Sequence, residues 1–417
     1  MKLYNSLSQQ VETFQPRGKD VSIYACGITP YDTTHLGHAF TYAAVDVLIR
    51  YLELRELKVN YIQNITDIDD DILRKAREVG LDWRSLGKQW TDHYIEDMLS
   101  LNIRPPDQFP RASEVIDEIV RAIRKLLDAG VAYQSGGSVY FSIAAWPDFG
   151  KLSQLPRDQM LPIANQRGNH PDDPNKRDPL DFVLWQAEQP GEPSWPSPWG
   201  LGRPGWHIEC STMVRKYLGE TIDIHAGGAD LIFPHHECEL AQMEAVVKDK
   251  PFVRLWMHTG MVRYQGEKMS KSLGNLVMVR ELLKNYPPDA LRVYLGLQHY
   301  RLPWVYSEDE LKQAAETAEK LRQAAIAPSE NGIALKEELA WAAFTTDMDN
   351  NLDTPAALKG LEALAEDIME AAESGRNVKE AQQALRRFSS VFGLRLDKTQ
   401  PEKRVVEGWT KYSDRVI

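Results

Sequence analysis

Two histidines, His35 and His38, flank Gly37 in a short segment, HLGH, whose residue types suit phosphate chemistry. Imidazoles can donate to phosphate oxygens, and a glycine between them lets a planar ring approach the backbone. An apolar strand and a turn precede the segment and a helix follows it, so the histidines lie where that helix begins, with Thr33 and Thr34 as its predicted caps. A helix N-terminus attracts anions, and strand, turn and helix together are typical of half a mononucleotide-binding unit. Most His-x-x-His pairs in helices are structural or solvated, so a functional role for this pair needs support from other features of the chain.

A second candidate is the loop GEKMSKSLGN at residues 266–275, which carries Lys268 and Lys271 between glycines. Lysine offers a compact charge that can follow a departing pyrophosphate as a loop closes. As an isolated run of charges the loop would be a solvated turn. An alternating α/β pattern separates it from the HLGH segment, and this combination favours chemistry on a nucleoside triphosphate.

A third constellation has the composition of a zinc site. Its candidate ligands are Cys26, Cys210, His235 and Glu239. Thiolate, imidazole and carboxylate are all zinc ligands, and four of them fill a tetrahedral shell. Positions 235 and 239 share one face if the segment is helical. The alternative is that both cysteines are small buried hydrophobes; we favour zinc because they lie beside the presumed active-site turns. Cys238 points off this face and is expected not to ligate, and His236 is expected to support the ligands.

Composition narrows the class of protein. The chain has 417 residues, 43% hydrophobic and 26% charged, which is ordinary for a soluble globular protein. No apolar run could span a bilayer and the N-terminus lacks a signal-peptide core, so we expect a cytoplasmic protein without membrane contact, and a monomer. Three cysteines argue against a disulfide framework, and the net charge of −11 argues against a generally basic nucleic-acid surface.

The order of predicted elements indicates an α/β nucleotide-binding fold in two halves. Strands are predicted at 58–66, 221–225 and 253–262, and helices at 82–102 and 113–129. Between residues 146 and 206 prolines and tryptophans cluster, which excludes a long helix and favours an insertion of loops and short strands. We expect six regions: the first half of the catalytic domain (1–145), the insertion (146–205), the second half with the lysine loop (206–276), a stem-contact-like helical region (277–330), a helical bundle (331–395) and a loosely attached tail (396–417).

The pairing of HLGH with KMSKS resembles the signature of class I aminoacyl-tRNA synthetases. The resemblance implies that His35, His38 and the second lysine of the loop, Lys271, stabilise the transition state of amino-acid adenylation. We expect Lys268 to be a catalytic residue as well. It also implies a Rossmann-like (HUP-type) parallel-sheet domain with a connective insertion, followed by a C-terminal helical bundle. Longer segments narrow the likeness to the group of cysteinyl-tRNA synthetases and mycothiol-pathway cysteine ligases: CGITPYDTTHLGH, NITDIDDDI, GRPGWHIECS, GGADLIFPHHE and GEKMSKSLGN.

In that group zinc binds the thiolate of the substrate cysteine, and a soft thiolate binds zinc far better than a serine hydroxyl does. Carried over by position, the zinc ligands are the four residues named above. The cysteine pocket would be lined by Gly27, Thr66 and Trp206. ATP, with Mg²⁺, would bind at His35, Gly37, His38 and Lys271, with Gly228 and Asp230 at the ribose.

The sequence gives mixed indications about which acceptor receives the cysteine. CGITPYD, GNLV, NLDTPAAL, Asp71 in place of a common lysine, and the short stretch after VFGL resemble the mycothiol-type ligase. Glu239 and DIHAGG resemble the tRNA enzymes. We predict formation of cysteinyl-adenylate and favour transfer to a small amine, glucosaminyl-inositol, with tRNA as the alternative. A plain nucleotidyltransferase and a non-catalytic synthetase relative rank lower.

Overall fold

The computed structural model describes residues 1–32, 34–247, 250–269, 274–335 and 338–413. The strands are β1 (Lys2–Asn5), β2 (Gln10–Thr13), β3 (Asp20–Ile28), β4 (Lys58–Ile65), β5 (Ala132–Ser135), β6 (Ser138–Phe141), β7 (Phe182–Ala187), β8 (Gly202–Pro204), β9 (Ile222–Gly228), β10 (Val253–Thr259), β11 (Val262–Tyr264), β12 (Glu267–Lys268) and β13 (Trp304–Val305). The helices are α1 (Leu36–Leu54), α2 (Asp70–Val79), α3 (Trp83–Ser100), α4 (Ile116–Asp128), α5 (Arg157–Asn165), α6 (Trp206–Tyr217), α7 (Glu237–Val246), α8 (Val279–Leu283), α9 (Pro288–Gly296), α10 (Glu308–Ile326), α11 (Glu338–Asp349), α12 (Thr354–Glu373), α13 (Lys379–Val391) and α14 (Lys403–Thr410). Within these described ranges, no helix is both long and apolar enough to cross a bilayer.

A parallel sheet in the order β10-β9-β3-β4 forms the centre of the molecule. Its strands are largely buried, as expected for a parallel sheet covered on both faces. Ile23 pairs with Ile224 on the neighbouring strand, and these residues belong to the main apolar core together with the buried face of α1. Because all four strands run the same way, their carboxyl ends meet at one edge, where such folds bind ligands. This confirms the predicted α/β class with a helical C-terminal part.

A separate antiparallel sheet, β5-β6-β7-β8, covers one side of that edge. Two of its strands, β5 and β6, precede residue 145, and the other two, β7 and β8, follow it. We therefore propose that the insertion begins at Ala132 and not at residue 146. The insertion is anchored on α7, because the buried carboxylate of Glu237 accepts backbone N–H groups of Gly150, Leu152 and Ser153. These contacts hold the insertion beside the second half of the parallel sheet.

The last segment of the described chain is packed against α3 and the residues that follow it, rather than loosely attached. Trp409 on α14 is fully buried, and its indole donates to the carbonyl of Ile103 at 2.9 Å. It also contacts the rings of Tyr94 and Phe109 edge-on. The expectation of a loose tail, based on its content of charged residues, is therefore wrong for residues up to 413, because buried Val405 and Trp409 give α14 an apolar face.

Candidate active site

A cavity of about 1050 Å³ opens at the carboxyl edge of the parallel sheet, between that sheet and the insertion. It brings together residues from both halves of the chain that the sequence singled out. Those that line it are Cys26, Gly27, His35, Gly37, His38, Trp206, Gly228 and Asp230. The described residues that line the cavity do not include Thr66, which is buried and accepts a hydrogen bond from Asn64 at 3.2 Å.

The HLGH segment caps its own helix. His35 is the N-cap of α1, and its Nδ1 accepts the backbone N–H groups of Gly37 at 3.1 Å and His38 at 3.3 Å. The predicted threonine cap is thus wrong for Thr34, which precedes the cap, while Thr33 lies outside the described residues. Because Nδ1 accepts, the neutral His35 ring carries its proton on Nε2. Because the N–H groups of Gly37 and His38 are already bonded, phosphate oxygens would meet ring N–H donors of the two imidazoles, which stack at 3.8 Å.

The four predicted zinc ligands converge beneath the cavity. Their donor atoms all lie within 4.8 Å of one another, and all four residues are buried: Cys26, Cys210, His235 and Glu239. The two sulfurs are 3.9 Å apart, and His235 Nε2 is 3.1 Å from Glu239 Oε1. A tetrahedral zinc with ordinary bond lengths would separate two sulfurs by roughly 3.8 Å and a nitrogen from an oxygen by roughly 3.3 Å. The donor set therefore fits this metal in both type and spacing.

His235 lies in the turn Ile232–His236 that precedes α7, two residues after a break in helical geometry at Phe233 (φ −136°, ψ 133°). His235 and Glu239 are four residues apart, and their side chains meet as that spacing predicts. Trp206 stacks on the His235 ring at 4.2 Å, and His207 Nδ1 contacts His235 Nδ1 at 2.9 Å, which leaves Nε2 toward the ligand group. Cys238 lies outside the ligand group.

Burial sets the protonation of these groups. It raises the pKa of the Cys26 thiol well above the ordinary value, and it raises the pKa of Cys210 as well. It lowers the pKa of His235 and His236 well below the ordinary value, so both imidazoles are neutral with a lone pair to offer. A metal that binds here would therefore release thiol protons, and its affinity would rise with pH.

Sequence reasoning missed most of a buried histidine network around this cluster. His225 Nε2 lies 3.2 Å from Glu239 Oε2, and His236 Nε2 lies 3.2 Å from Cys26 Sγ. His236 in turn contacts His258 at 2.8 Å. A second potential ligand group results, made of Cys26, His225, His236 and Glu239. The only sequence signal was the position of His225 and His258 near the carboxyl ends of two parallel strands.

The lysine loop is described only in part. The backbone of Lys268 lies on β12, where it pairs with Arg263, and Lys271 lies outside the described residues. The segment after the loop is joined to the HLGH segment, because Leu36 donates to the carbonyl of Val277 at 2.8 Å and Val279 donates to that of Thr34 at 3.1 Å. The HLGH segment and the residues that follow the loop are therefore neighbours in space, although they lie far apart in the sequence.

Comparisons of sequence agree with this geometry. Residues 12–316 match the family described as tRNA synthetases class I (C) catalytic domain. The chain is 44% identical over 406 residues to a cysteine–tRNA ligase of Dehalococcoides mccartyi, covering 96% of this chain and 88% of the relative. It is 42% identical over 424 residues to a cysteine–tRNA ligase of Thermococcus onnurineus, covering 97% and 88%.

Solved structures agree at the level of the fold. A methionyl-tRNA synthetase from Mycobacterium tuberculosis, in complex with methionyl-adenylate, superposes with a TM-score of 0.62 at 17% identity, covering 90% of this chain and 89% of that one. A leucyl-tRNA synthetase from Agrobacterium radiobacter gives a TM-score of 0.64 at 11% identity, covering 95% and 86%.

Proposed function

Because the chain belongs to the family of class I synthetases that comprises the cysteine–tRNA ligases, we propose that it activates L-cysteine with ATP and transfers it to tRNA. In the first step the cysteine carboxylate attacks the α-phosphorus of ATP and pyrophosphate leaves. In the second, a ribose hydroxyl at the end of the tRNA attacks the carbonyl carbon of the adenylate and AMP leaves. The first step forms a mixed anhydride, and the second consumes it.

The observation that carries the proposal is the buried group of two thiols, an imidazole and a carboxylate below a cavity that His35 and His38 also line. Zinc bound there would supply a soft Lewis acid for the substrate sulfur. Cys26 belongs both to the ligand group and to the cavity wall, so a thiolate entering the cavity would meet the metal beside that residue, either as a fifth ligand or in place of one of the four. Serine, with a hard hydroxyl, would bind far more weakly, and no editing site is then needed.

The remaining residues orient the reactants. His35, with its proton on Nε2, and His38 would donate to phosphate oxygens as negative charge shifts toward pyrophosphate. Trp206, held against His235, would cover the cysteine side chain and exclude water from the sulfur. Gly228 and Asp230 would hold the ribose. Lys268 and Lys271 stay predicted contributors to departure of pyrophosphate.

The acceptor favoured from the sequence alone, a small amine, finds no support in the comparisons, which favour the alternative, tRNA. The argument from a net charge of −11 failed because a whole-chain charge does not report the local potential of one face. Although several segments resemble the mycothiol-type ligase, the chain also has Glu239, which resembles the tRNA enzymes. Its carboxylate belongs to both potential ligand groups.

Cysteine-dependent exchange of labelled pyrophosphate into ATP tests the first step. Zinc-loaded protein should catalyse exchange with cysteine and give far less with serine at equal concentration. Charging of cysteine tRNA transcripts tests the second step, with glucosaminyl-inositol offered in a parallel reaction. Exchange without charging of tRNA, together with ligation to the amine, would refute transfer to tRNA, whereas absence of exchange from zinc-loaded protein would refute cysteine activation.

A further inference from the structure

An arginine of the insertion reaches across the cavity to the residue expected at the ribose. Arg167 Nη2 donates to Asp230 Oδ2 at 3.1 Å. Both side chains line the cavity, and both remain partly exposed to it, at 28% and 31%. The pair joins the insertion to the second half of the nucleotide-binding sheet, although 63 residues separate the two positions.

The backbone on each side of this pair is well fixed. Arg167 follows α5, and its N–H donates to the carbonyl of Ala164 at 2.9 Å. Helix α5 packs against the turn 232–236, and the insertion is tied to α7 through the three N–H groups that Glu237 accepts. Asp230 lies in a single tight turn directly after β9. Arg167 therefore lies at the very start of the loop that joins α5 to β7, where its hydrogen bond to the last turn of α5 fixes its backbone opposite the carboxylate.

The two oxygens of Asp230 have different surroundings. Oδ2 is engaged by Arg167, whereas Oδ1 lies against Gly228, where an added Cβ would come within 2.6 Å of it. A planar carboxylate held at one oxygen by a guanidinium has its other oxygen fixed in direction as well. That second oxygen can accept a hydroxyl hydrogen bond without first being reoriented.

We propose that Arg167 is a positioning residue that holds the Asp230 carboxylate for a ribose hydroxyl of the adenosine moiety. This inference rests on the proposed function, since it assigns the nucleotide to this cavity. It gives the insertion a part in nucleotide recognition: the guanidinium touches the carboxylate, and the carboxylate touches the sugar. Arg167 itself does not contact the phosphates in this arrangement.

Equilibrium binding of ATP, 2′-deoxyATP, 3′-deoxyATP and adenosine to the zinc-loaded full chain tests the inference. In the wild type, loss of the recognised hydroxyl should weaken binding about tenfold, the value of a hydrogen bond to a charged group. Arg167→Ala should weaken binding of ATP by a similar factor, about tenfold, and of adenosine equally. In that variant the deoxy penalty should shrink to less than about threefold, because the carboxylate is no longer held. Arg167→Lys keeps the positive charge but not the planar guanidinium, so its affinity and its deoxy penalty should lie between those of the wild type and of Arg167→Ala.

Arg157→Ala is the matched control, since Arg157 pairs with Asp178 within the insertion and does not line the cavity. It should bind all four ligands as the wild type does. An unchanged deoxy penalty in Arg167→Ala would overturn the inference, and so would a loss confined to ATP, which would mean a phosphate contact. Because binding is measured without cysteine, the result is independent of exchange: a wild type that shows the binding pattern but no exchange would refute cysteine activation and leave Arg167 in its role.

Discussion

Replacing Gly27 by alanine should destroy the candidate metal site while leaving most of the fold in place. Gly27 follows Cys26 at an irregular point of β3, where the register with β4 shifts between Ala25 and Ile28. Its N–H donates to the side-chain oxygen of Asn64 at 2.8 Å, and the Asn64 amide reaches Cys210 Sγ at 3.4 Å. Gly27 is therefore linked to both cysteines of the ligand group: to Cys26 as its neighbour in the chain, and to Cys210 through Asn64.

The size of the perturbation follows from the distances. A Cβ on Gly27 would lie 1.6 Å from the carbonyl oxygen of Asn64, whereas real Cβ atoms stay beyond 3.0 Å, so at least 1.4 Å of movement (3.0 minus 1.6) is required. The obstacle is backbone, so the ends of β3 and β4 must separate. Ligand groups tolerate displacements of about 0.5 Å, and a misplacement of about 1 Å can cost a factor of about 100 in rate. Overpacking of this kind costs about 1–3 kcal/mol of stability.

Zinc content after gel filtration, pyrophosphate exchange and urea unfolding measure the three consequences of Gly27→Ala. We expect less than about half the wild-type zinc and a loss of exchange of about 100-fold. Gly360→Ala is the matched control, because a Cβ there, on the exposed side of α12, meets nothing within 4 Å. That control should gain about 0.5–1 kcal/mol of stability from helix propensity and keep its activity. Wild-type zinc and exchange in Gly27→Ala would refute the account of the site.

Three further predictions concern the metal ligands, the C-terminal helix and a carboxylate in the cavity. Cys210→Ser should lose its zinc in metal analysis, because one of two sulfurs is removed; full occupancy would instead favour the ligand group that contains His225 and His236. Trp409→Ala should lower the free energy of unfolding in urea by about 3–5 kcal/mol, and a loss below about 1 kcal/mol would contradict the packing of α14. Burial and two neighbouring aspartates raise the pKa of Asp69 to about 7 from 3.8, so the folded state holds the proton more tightly and stability falls as pH rises from about 4 to 7. Asp69→Asn keeps the helix cap and should remove this loss of unfolding free energy. The full pKa shift corresponds to about 4 kcal/mol, and we expect on the order of 2 kcal/mol because Asp69 is partly exposed. Equal dependence of the unfolding free energy on pH in the two proteins would contradict the prediction.

The sequence predicted those parts of the site that lie on regular elements with a local pattern. Strand β3 and the start of α1 follow from alternation, a turn and a glycine, and they bring Cys26 and His35 to one edge of the sheet. The residue types of the four candidate ligands suggested a zinc group, and the structure brings their side chains together. The position of the two cysteines beside the presumed active-site turns, added to the chemistry of the donor atoms, made this prediction possible.

Other features depend on contacts that no local pattern reveals. The cap of α1 is the imidazole of His35 because it folds back on its own helix, whereas propensity pointed to a threonine. The supporting roles of His225 and His258 arise from the register of parallel strands, which places His225 beside Glu239 on α7 and His258 beside His236 just before that helix. Arg167 lies in a loop-rich segment where sequence gives no periodicity, so its contact with Asp230 could not be foreseen.

A buried ion cluster lies behind the helix whose N-terminus carries the HLGH segment. Asp46 on α1 accepts from Arg50 at 2.9 Å and from Arg292 on α9 at 2.6 Å, and Arg50 also pairs with Glu402 just before α14 at 2.6 Å. The two buried cations are thus paired with the two anions. Removing any one of these groups would leave a buried charge without its partner, which costs several kcal/mol of stability. Positions up to 352 residues apart must therefore assemble together. It follows that the C-terminal segment supports the catalytic helix directly, so the charged residues before α14 serve the fold from which the active site is built.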